Sequence, residues 1–290
     1  MKIKKITEKV MNMFFLMCAS TAIIATALIT IYLVMAGLPA IKEIGLWKFI
    51  SGTVWKSTAN PPQFGILPFI LTSVYGTLGA VAIGVPVGLG TAIFLSKIAP
   101  KPISRALRPA VDLLAGIPSV VYGLVGMMVL VPFVAKIFGL SNGAGLLSAI
   151  IVLAVMILPG IVSVSQTALD AVPREYEEAS LALGATKAET VFRVSVPAAK
   201  SGIATGVVLG IGRAVGEAMA VMMVAGNVAN MPSMFKSVTF LTTAVSKEMG
   251  YASGLQKDAL FSIALVLFVF IMLINIVLGI CFKKGTNNEK

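Results

Sequence analysis

The sequence predicts an all-α, polytopic membrane protein whose single domain, residues 1–290, is a bundle of six transmembrane helices. Three observations lead there. Hydrophobic residues make up 58% of the chain and charged ones only 12%, against roughly 25% charged in a soluble domain. Long runs carry no charge at all, and lysines and arginines concentrate in alternate connections. The mean hydropathy of +0.97 leaves too little polar surface to cover a water-soluble core.

The balance of 23 basic against 12 acidic residues gives a net charge of +11, and histidine is absent. On a chain this apolar, the positive charge fits the anionic lipid bilayer and its cytoplasmic face better than nucleic acid. Without histidine there is no Ser-His triad, no His-ligated metal and no default proton carrier near neutral pH. The two cysteines, Cys18 and Cys281, stand in apolar stretches, so neither a disulfide framework nor a cysteine metal site is expected. No metal or cofactor is expected.

Charge-free runs place spans near 13–36, 70–96, 111–135, 146–169 and 259–282, with a sixth near 201–226 that holds Arg213 and Glu217. Each accommodates the ~20 apolar residues that cross a ~30 Å hydrocarbon layer. The first span follows a basic start and contains Ala25-Thr26-Ala27. Its apolar run continues to Met35, too long for a signal h-region, so an uncleaved span is expected. Fifteen basic residues fall in the segments flanking one side (from Lys2, Lys4, Lys5 and Lys9 through Lys97, Lys101, Arg105 and Arg108 to Arg174, Lys187, Arg193, Lys200, Lys283, Lys284 and Lys290), and seven fall on the other. The positive-inside rule puts both termini in the cytoplasm.

Within the spans, Pro86, Pro118, Pro132 and Pro159 are expected to interrupt or kink the helices. Gly84 and Gly88 bracket Pro86 and permit close approach of a neighbour. Asp112, four residues after Arg108, reads as its ion-pair partner. Trp47 and Trp55, in the segment 37–69, suit either an interfacial belt or a protein contact. The segment 227–258 is Ser/Thr-rich and weakly charged.

Segment 170–200 turns charged and helical. Pro173 begins a helix whose first turns carry Glu175, Glu177 and Glu178, and Gly184 stops it. Thr186-Lys187-Ala188-Glu189 then forms a capping box for a second helix running to about Ser195, before Pro197. The expectation is a helix-turn-helix outside the membrane.

On an unbroken helix, Gly202, Gly206, Gly210, Arg213, Glu217 and Ala220 share a stripe ~80° wide. An isolated charge at this depth costs roughly 2.5–3.5 kcal/mol, so the pair should face the bundle interior. Two readings fit. Either an Arg213–Glu217 bridge closes a glycine-lined helix contact, or Arg213, Glu217, Gly206 and Gly210 line a path on which Arg213 lowers the barrier to an anion.

Glu178-Ala179-Ser180, three residues, Gly184, nine residues, then Val194-Ser195-Val196-Pro197 resembles the EAA signature of bacterial ABC importer permeases, departing mildly at Ser180, Val194 and Val196. The resemblance implies a type I importer permease (MetI-like) fold in a prokaryotic cytoplasmic membrane. It implies coupling to an ATPase subunit through Glu178, Ala179, Ser180, Gly184, Pro197 and their neighbours. From Phe64 onward, Phe64-Gly65-Ile66-Leu67-Pro68, Ala115 through Gly123 and Gly212-Arg213-Ala214-Val215-Gly216-Glu217 resemble the PstC type of phosphate importer permease. The paralogous PstA type shares part of this pattern. That resemblance implies a heterodimer with a PstA-type second permease, two ATPase subunits and an extracytoplasmic phosphate-binding protein.

No Gly-x-x-x-x-Gly-Lys-[Ser/Thr] loop is present; Gly79 to Gly84 has the glycine spacing but continues Val-Pro. The chain is thus expected to be no enzyme, with ATP hydrolysis in a partner. The alternatives are a permease for another oxyanion, molybdate or sulfate, and an ion-coupled secondary transporter.

Overall fold

The protein is described by a computed structural model that covers residues 2–287. The side chains of Lys2, Lys4, Lys5, Lys9, Cys281, Lys283, Lys284 and Lys290 lie outside the described residues, and so does their part in the charge asymmetry. Helix α1, Lys2–Ile44, leads into a short α2, Leu46–Ser51, and a hairpin of β1, Trp55–Lys56, with β2, Gln63–Phe64. Helix α3, Leu67–Ile93, ends in a π turn, Phe94–Ile98, and is followed by α4, Lys101–Gly116. Next come α5, Ser119–Val125, a second π turn, Gly126–Leu130, α6, Val131–Phe138, and α7, Leu146–Asp170. The helix-turn-helix comprises α8, Arg174–Ala182, and α9, Lys187–Thr190, continued by a π turn, Val191–Ser195, and α10, Val196–Ala198. Helices α11, Lys200–Gly216, α12, Met219–Val224, α13, Leu241–Glu248, and α14, Gly254–Asn287, complete the chain.

Among the described residues, five helical stretches are long and apolar enough to cross a membrane, and the number is six if Lys187–Ala198 and Lys200–Gly216, bent by 71° at their junction, count as one broken span. Helix α7 is the centre. Ile157 and Ile161, both fully buried, point toward glycines on two neighbours at once. A Cβ at Gly84 of α3 would lie 2.7 Å from the Ile157 Cδ1, and one at Gly210 of α11 would lie 2.8 Å from the Ile161 Cγ1. Small residues therefore let three helices close on branched side chains, the usual source of packing where lipid offers no hydrophobic drive. By contrast, α1 exposes nearly all of its apolar surface and meets α14, where the Ser262 hydroxyl donates to the Gly37 carbonyl at 2.5 Å.

The prolines do not act alike. Helices α3 and α7 run through Pro86 and Pro159 without a break. The expected third span is divided at Ile117, whose extended ψ of 127° ends α4, and membrane-length helix begins only at Ser119. A residue before proline avoids the helical region because the ring clashes with it. The Leu114 carbonyl accepts from the Tyr122 hydroxyl at 2.7 Å and from the Ile117 N–H at 3.3 Å. Each of the three described π turns ends two residues before a proline, at Ile98, Leu130 and Ser195, ahead of Pro100, Pro132 and Pro197. Ala99, Val131 and Val196 donate to Phe94, Gly126 and Val191 respectively, five residues back. At Ala99 the chain turns extended and leaves the helix, whereas at Pro132 and Pro197, where the helix continues, widening the turn relieves the clash between the proline ring and the carbonyl four residues earlier. For this reason the second coupling helix continues past Pro197 to Ala198 instead of ending before it.

At the end of the bundle away from the helix-turn-helix, Trp55 is buried, 8% exposed, its ring 5.3 Å from Phe64 and 5.5 Å from Phe69. Its indole N–H donates to both Glu248 carboxylate oxygens, at 3.2 and 3.3 Å. Neither role expected from the sequence applies to Trp55, whereas Trp47 stays 81% exposed and retains them. Gln256 also donates to Glu248, at 3.0 Å. Replacing Glu248 with Ala strands the indole N–H of the buried Trp55, and one buried donor left unpaired costs about 1–3 kcal/mol. The variant is expected to unfold several degrees below the parent in a detergent melting curve, with Glu248→Gln between the two.

Candidate functional site

Two places on the molecule carry the residues singled out by sequence, one at each end of α11. At the first, the turn of the helix-turn-helix is built as expected. Gly184 takes a positive φ of 88°, its N–H donating to Leu181 and that of Ala185 to Ser180, a glycine-ended helix stop. Thr186 accepts from the Glu189 N–H at 3.3 Å, and Glu189 accepts from the Thr186 N–H at 2.9 Å. The Thr186 N–H and hydroxyl, both donating to the Glu189 carboxylate, hold that carboxyl below the ordinary glutamate range. Glu178, Ala179, Gly184 and Pro197 are exposed. Ser180 is half-buried and its hydroxyl meets that of Thr190 at 3.0 Å. This departure from the Ala of the signature adds a hydrogen bond between the two coupling helices that alanine lacks. Leu183, 90% exposed, stands beside Gly184 on the same free surface.

Beneath this surface the helix-turn-helix is fastened to the bundle. Lys97 pairs with Glu177 at 2.6 Å, and the buried Ser195 hydroxyl donates to the same carboxylate oxygen at 2.9 Å. Burial pushes the Glu177 carboxyl up, but the hydrogen bonds from Lys97 and Ser195 and the charges of Lys97 and Arg174 outweigh it, leaving a net downward shift. Arg108 pairs with Asp170 at 3.0 Å, not with Asp112, which is exposed. Asp170 ends α7, where the helix dipole is negative, so a cation is drawn there from α4. Sequence reasoning missed Lys97, Glu177 and Ser195 as a group; the one signal was opposite charge on the same side of the membrane.

The second place is the break between α11 and α12. Glu217 adopts an extended ψ of 128°, so the four-residue helical spacing to Arg213 is lost. The Arg213–Glu217 bridge, one of the two readings the sequence left open, does not form: the ion pairs Lys97–Glu177 and Arg108–Asp170 do not include Arg213. Instead, Glu217 accepts from the Ala220 N–H at 2.9 Å, capping α12, while its carbonyl accepts from the Thr242 hydroxyl at 2.8 Å. Irregular backbone at membrane depth is tolerated only where such partners or a cavity satisfy it. Thr242, from the Ser/Thr-rich segment 227–258, is one of those partners.

Gly206 and Gly210 are buried against α7: a Cβ at Gly206 would lie 3.1 Å from the Ser165 hydroxyl. They serve helix packing and do not line an open surface of this chain. The open face of α11 is the adjoining stripe of Ser201, Thr205, Leu209, Gly212 and Gly216, all exposed. No side chain comes within 4 Å of a Cβ built at Gly212 or Gly216. Arg213 sits half-buried at the border of this face, within electrostatic range of the Tyr122 hydroxyl.

Residues 84–283 match the family model described as binding-protein-dependent transport system inner membrane component. The chain belongs to this family. Among curated relatives of this permease, a probable ABC transporter permease protein, YqgH, of Bacillus subtilis is 42% identical, the match covering 89% of this chain and 86% of that protein. The phosphate transport system permease protein PstC of Pasteurella multocida is 35% identical over 83% of each chain. That of Haemophilus influenzae is 35% identical over 90% of this chain and 88% of its own. In fold, the permease resembles a chain of the MetNI methionine ABC transporter in inward-facing form, at TM-score 0.61 and 21% identity over 76% of this chain and 95% of that one. It also resembles a chain of a bacterial alginate ABC transporter, at TM-score 0.61 and 16% identity over 95% and 94% of the two chains. These likenesses agree with the importer permease fold expected from the EAA signature.

Proposed function

We propose that this permease forms half of the membrane path of an ATP-driven phosphate importer, as a PstC-type subunit beside a PstA-type second permease. Two ATPase subunits dock on the free face of the helix-turn-helix, and an extracytoplasmic binding protein delivers phosphate at the other end. Both termini then lie in the cytoplasm, as the bias of lysine and arginine requires. The chain hydrolyses no ATP; a partner does.

The observation that carries the reading is the state of Arg213. It is an intramembrane cation without an acidic partner among the described residues, placed where a span is unwound and beside a face of small residues left open. An ionisable group in such a place marks an ion pathway by default. The likeness to PstC proteins supports phosphate as the anion over molybdate or sulfate, and family membership sets aside an ion-coupled carrier. Competition in cells dependent on this system tests the choice of anion. Unlabelled phosphate in tenfold excess is expected to suppress labelled phosphate uptake, whereas sulfate and molybdate leave it unchanged. Suppression by molybdate or sulfate alone would reassign the substrate.

A further inference from the structure

Three consecutive residues in the π turn at the end of the second span fasten to three different elements. The Leu95 carbonyl accepts from the Ser104 hydroxyl of α4 at 2.8 Å. The Ser96 hydroxyl donates to Asp170, at the end of α7, at 2.5 Å. The Lys97 ammonium pairs with Glu177 of α8 at 2.6 Å. The carboxylate oxygen of Glu177 that receives Lys97 is also the one that accepts from Ser195, in the π turn after α9. Both helices of the coupling segment and the end of the second span therefore meet at one atom. Lys97 is the more enclosed partner there, its side chain 11% exposed against 28% for Glu177.

The placement on α8 gives the joint a direction. Glu178, on the free surface, and Glu177, turned into the bundle, are adjacent on one short rigid helix. A load applied to the first is delivered at the second without an intervening flexible segment. On the receiving side is a π turn, closed by the Ala99 N–H on the Phe94 carbonyl at 2.7 Å, and such insertions in helices recur at functional sites.

We infer that Lys97 and Glu177 are positioning residues for transport: their ion pair, seated on Ser195, carries displacement of the helix-turn-helix into the π turn Phe94–Ile98 and so into the second span. This rests on the importer reading given above. The test uses the complete complex in proteoliposomes, measuring ATP hydrolysis and labelled phosphate uptake together. Lys97→Met and Glu177→Gln are expected to assemble and to hydrolyse ATP, but to import about tenfold less phosphate per ATP, the scale on which residues along a coupling route act. Lys97→Arg and the exchanged pair Lys97→Glu with Glu177→Lys are expected to restore most of that ratio. Single variants with a wild-type ratio, or an exchanged pair no better than the singles, would overturn the joint.

Hydrogen exchange on the wild-type complex does not depend on the variants folding. Addition of a non-hydrolysable ATP analogue is expected to change protection in 94–98 together with 170–200. A change in 170–200 alone would also overturn it. Failure of the wild-type complex to import phosphate would instead refute the functional reading, so the two failures are told apart.

Discussion

Arg213→Gln is expected to lower phosphate uptake by about a hundredfold or more while the complex still assembles. A unit charge interacting with an anion at ~4 Å contributes about 4 kcal/mol at an effective dielectric of 20, and each ~1.4 kcal/mol of barrier is tenfold in rate. Assembly should survive because Arg213 holds no described carboxylate; its removal leaves no buried partner charge behind. Had the Arg213–Glu217 bridge existed, the same substitution would have confounded transport with stability. Arg213→Lys keeps the charge but loses the planar fork that matches a phosphate, and should fall between the two. Labelled uptake with co-purification as the assembly control checks this, and normal uptake by Arg213→Gln would remove Arg213 from the path.

Leu183→Asp is expected to release the ATPase subunits without disturbing the fold of this chain. Leu183 is 90% exposed and makes the stop of α8 with Gly184, so its side chain has little packing to lose. Tyr176, Leu181 and Phe192 on the same segment also expose large apolar side chains, and apolar surface gathered outside the membrane marks a protein contact. A central apolar contact at an interface is worth about 2 kcal/mol or more on truncation, and a carboxylate buried in its place adds a desolvation cost. The affinity for the ATPase should fall by at least about thirtyfold. Co-purification is expected to fail while the melting curve of the isolated permease stays put. Retention of the ATPase by Leu183→Asp would move the docking surface elsewhere on the segment.

What the sequence revealed, and what it hid, follows from the range of the interactions. The Gly184 stop and the Thr186–Glu189 capping box depend on residues within one or two turns, so spacing alone describes them, as it does the unbroken helices α3 and α7. Trp55 and Glu248 lie 193 residues apart, and no periodicity links an indole in one connection to a carboxylate in another. The stripe on α11 shows the limit most clearly. Helical spacing correctly grouped Gly202, Gly206 and Gly210, but their shared face belongs to α7, and the open face is one column of residues away. The break at Glu217 was hidden because no proline marks it; it depends on Thr242, supplied by α13, to accommodate the unwound carbonyl.

The central claim is that this permease passes phosphate only as part of an ATP-driven assembly. Labelled phosphate uptake into proteoliposomes tests it most directly, comparing the chain alone with the chain plus second permease, ATPase subunits, binding protein and enclosed ATP. Uptake is expected only in the full assembly, ceasing when ATP or the binding protein is withheld. Phosphate entry driven by an ion gradient through this chain alone would contradict the account.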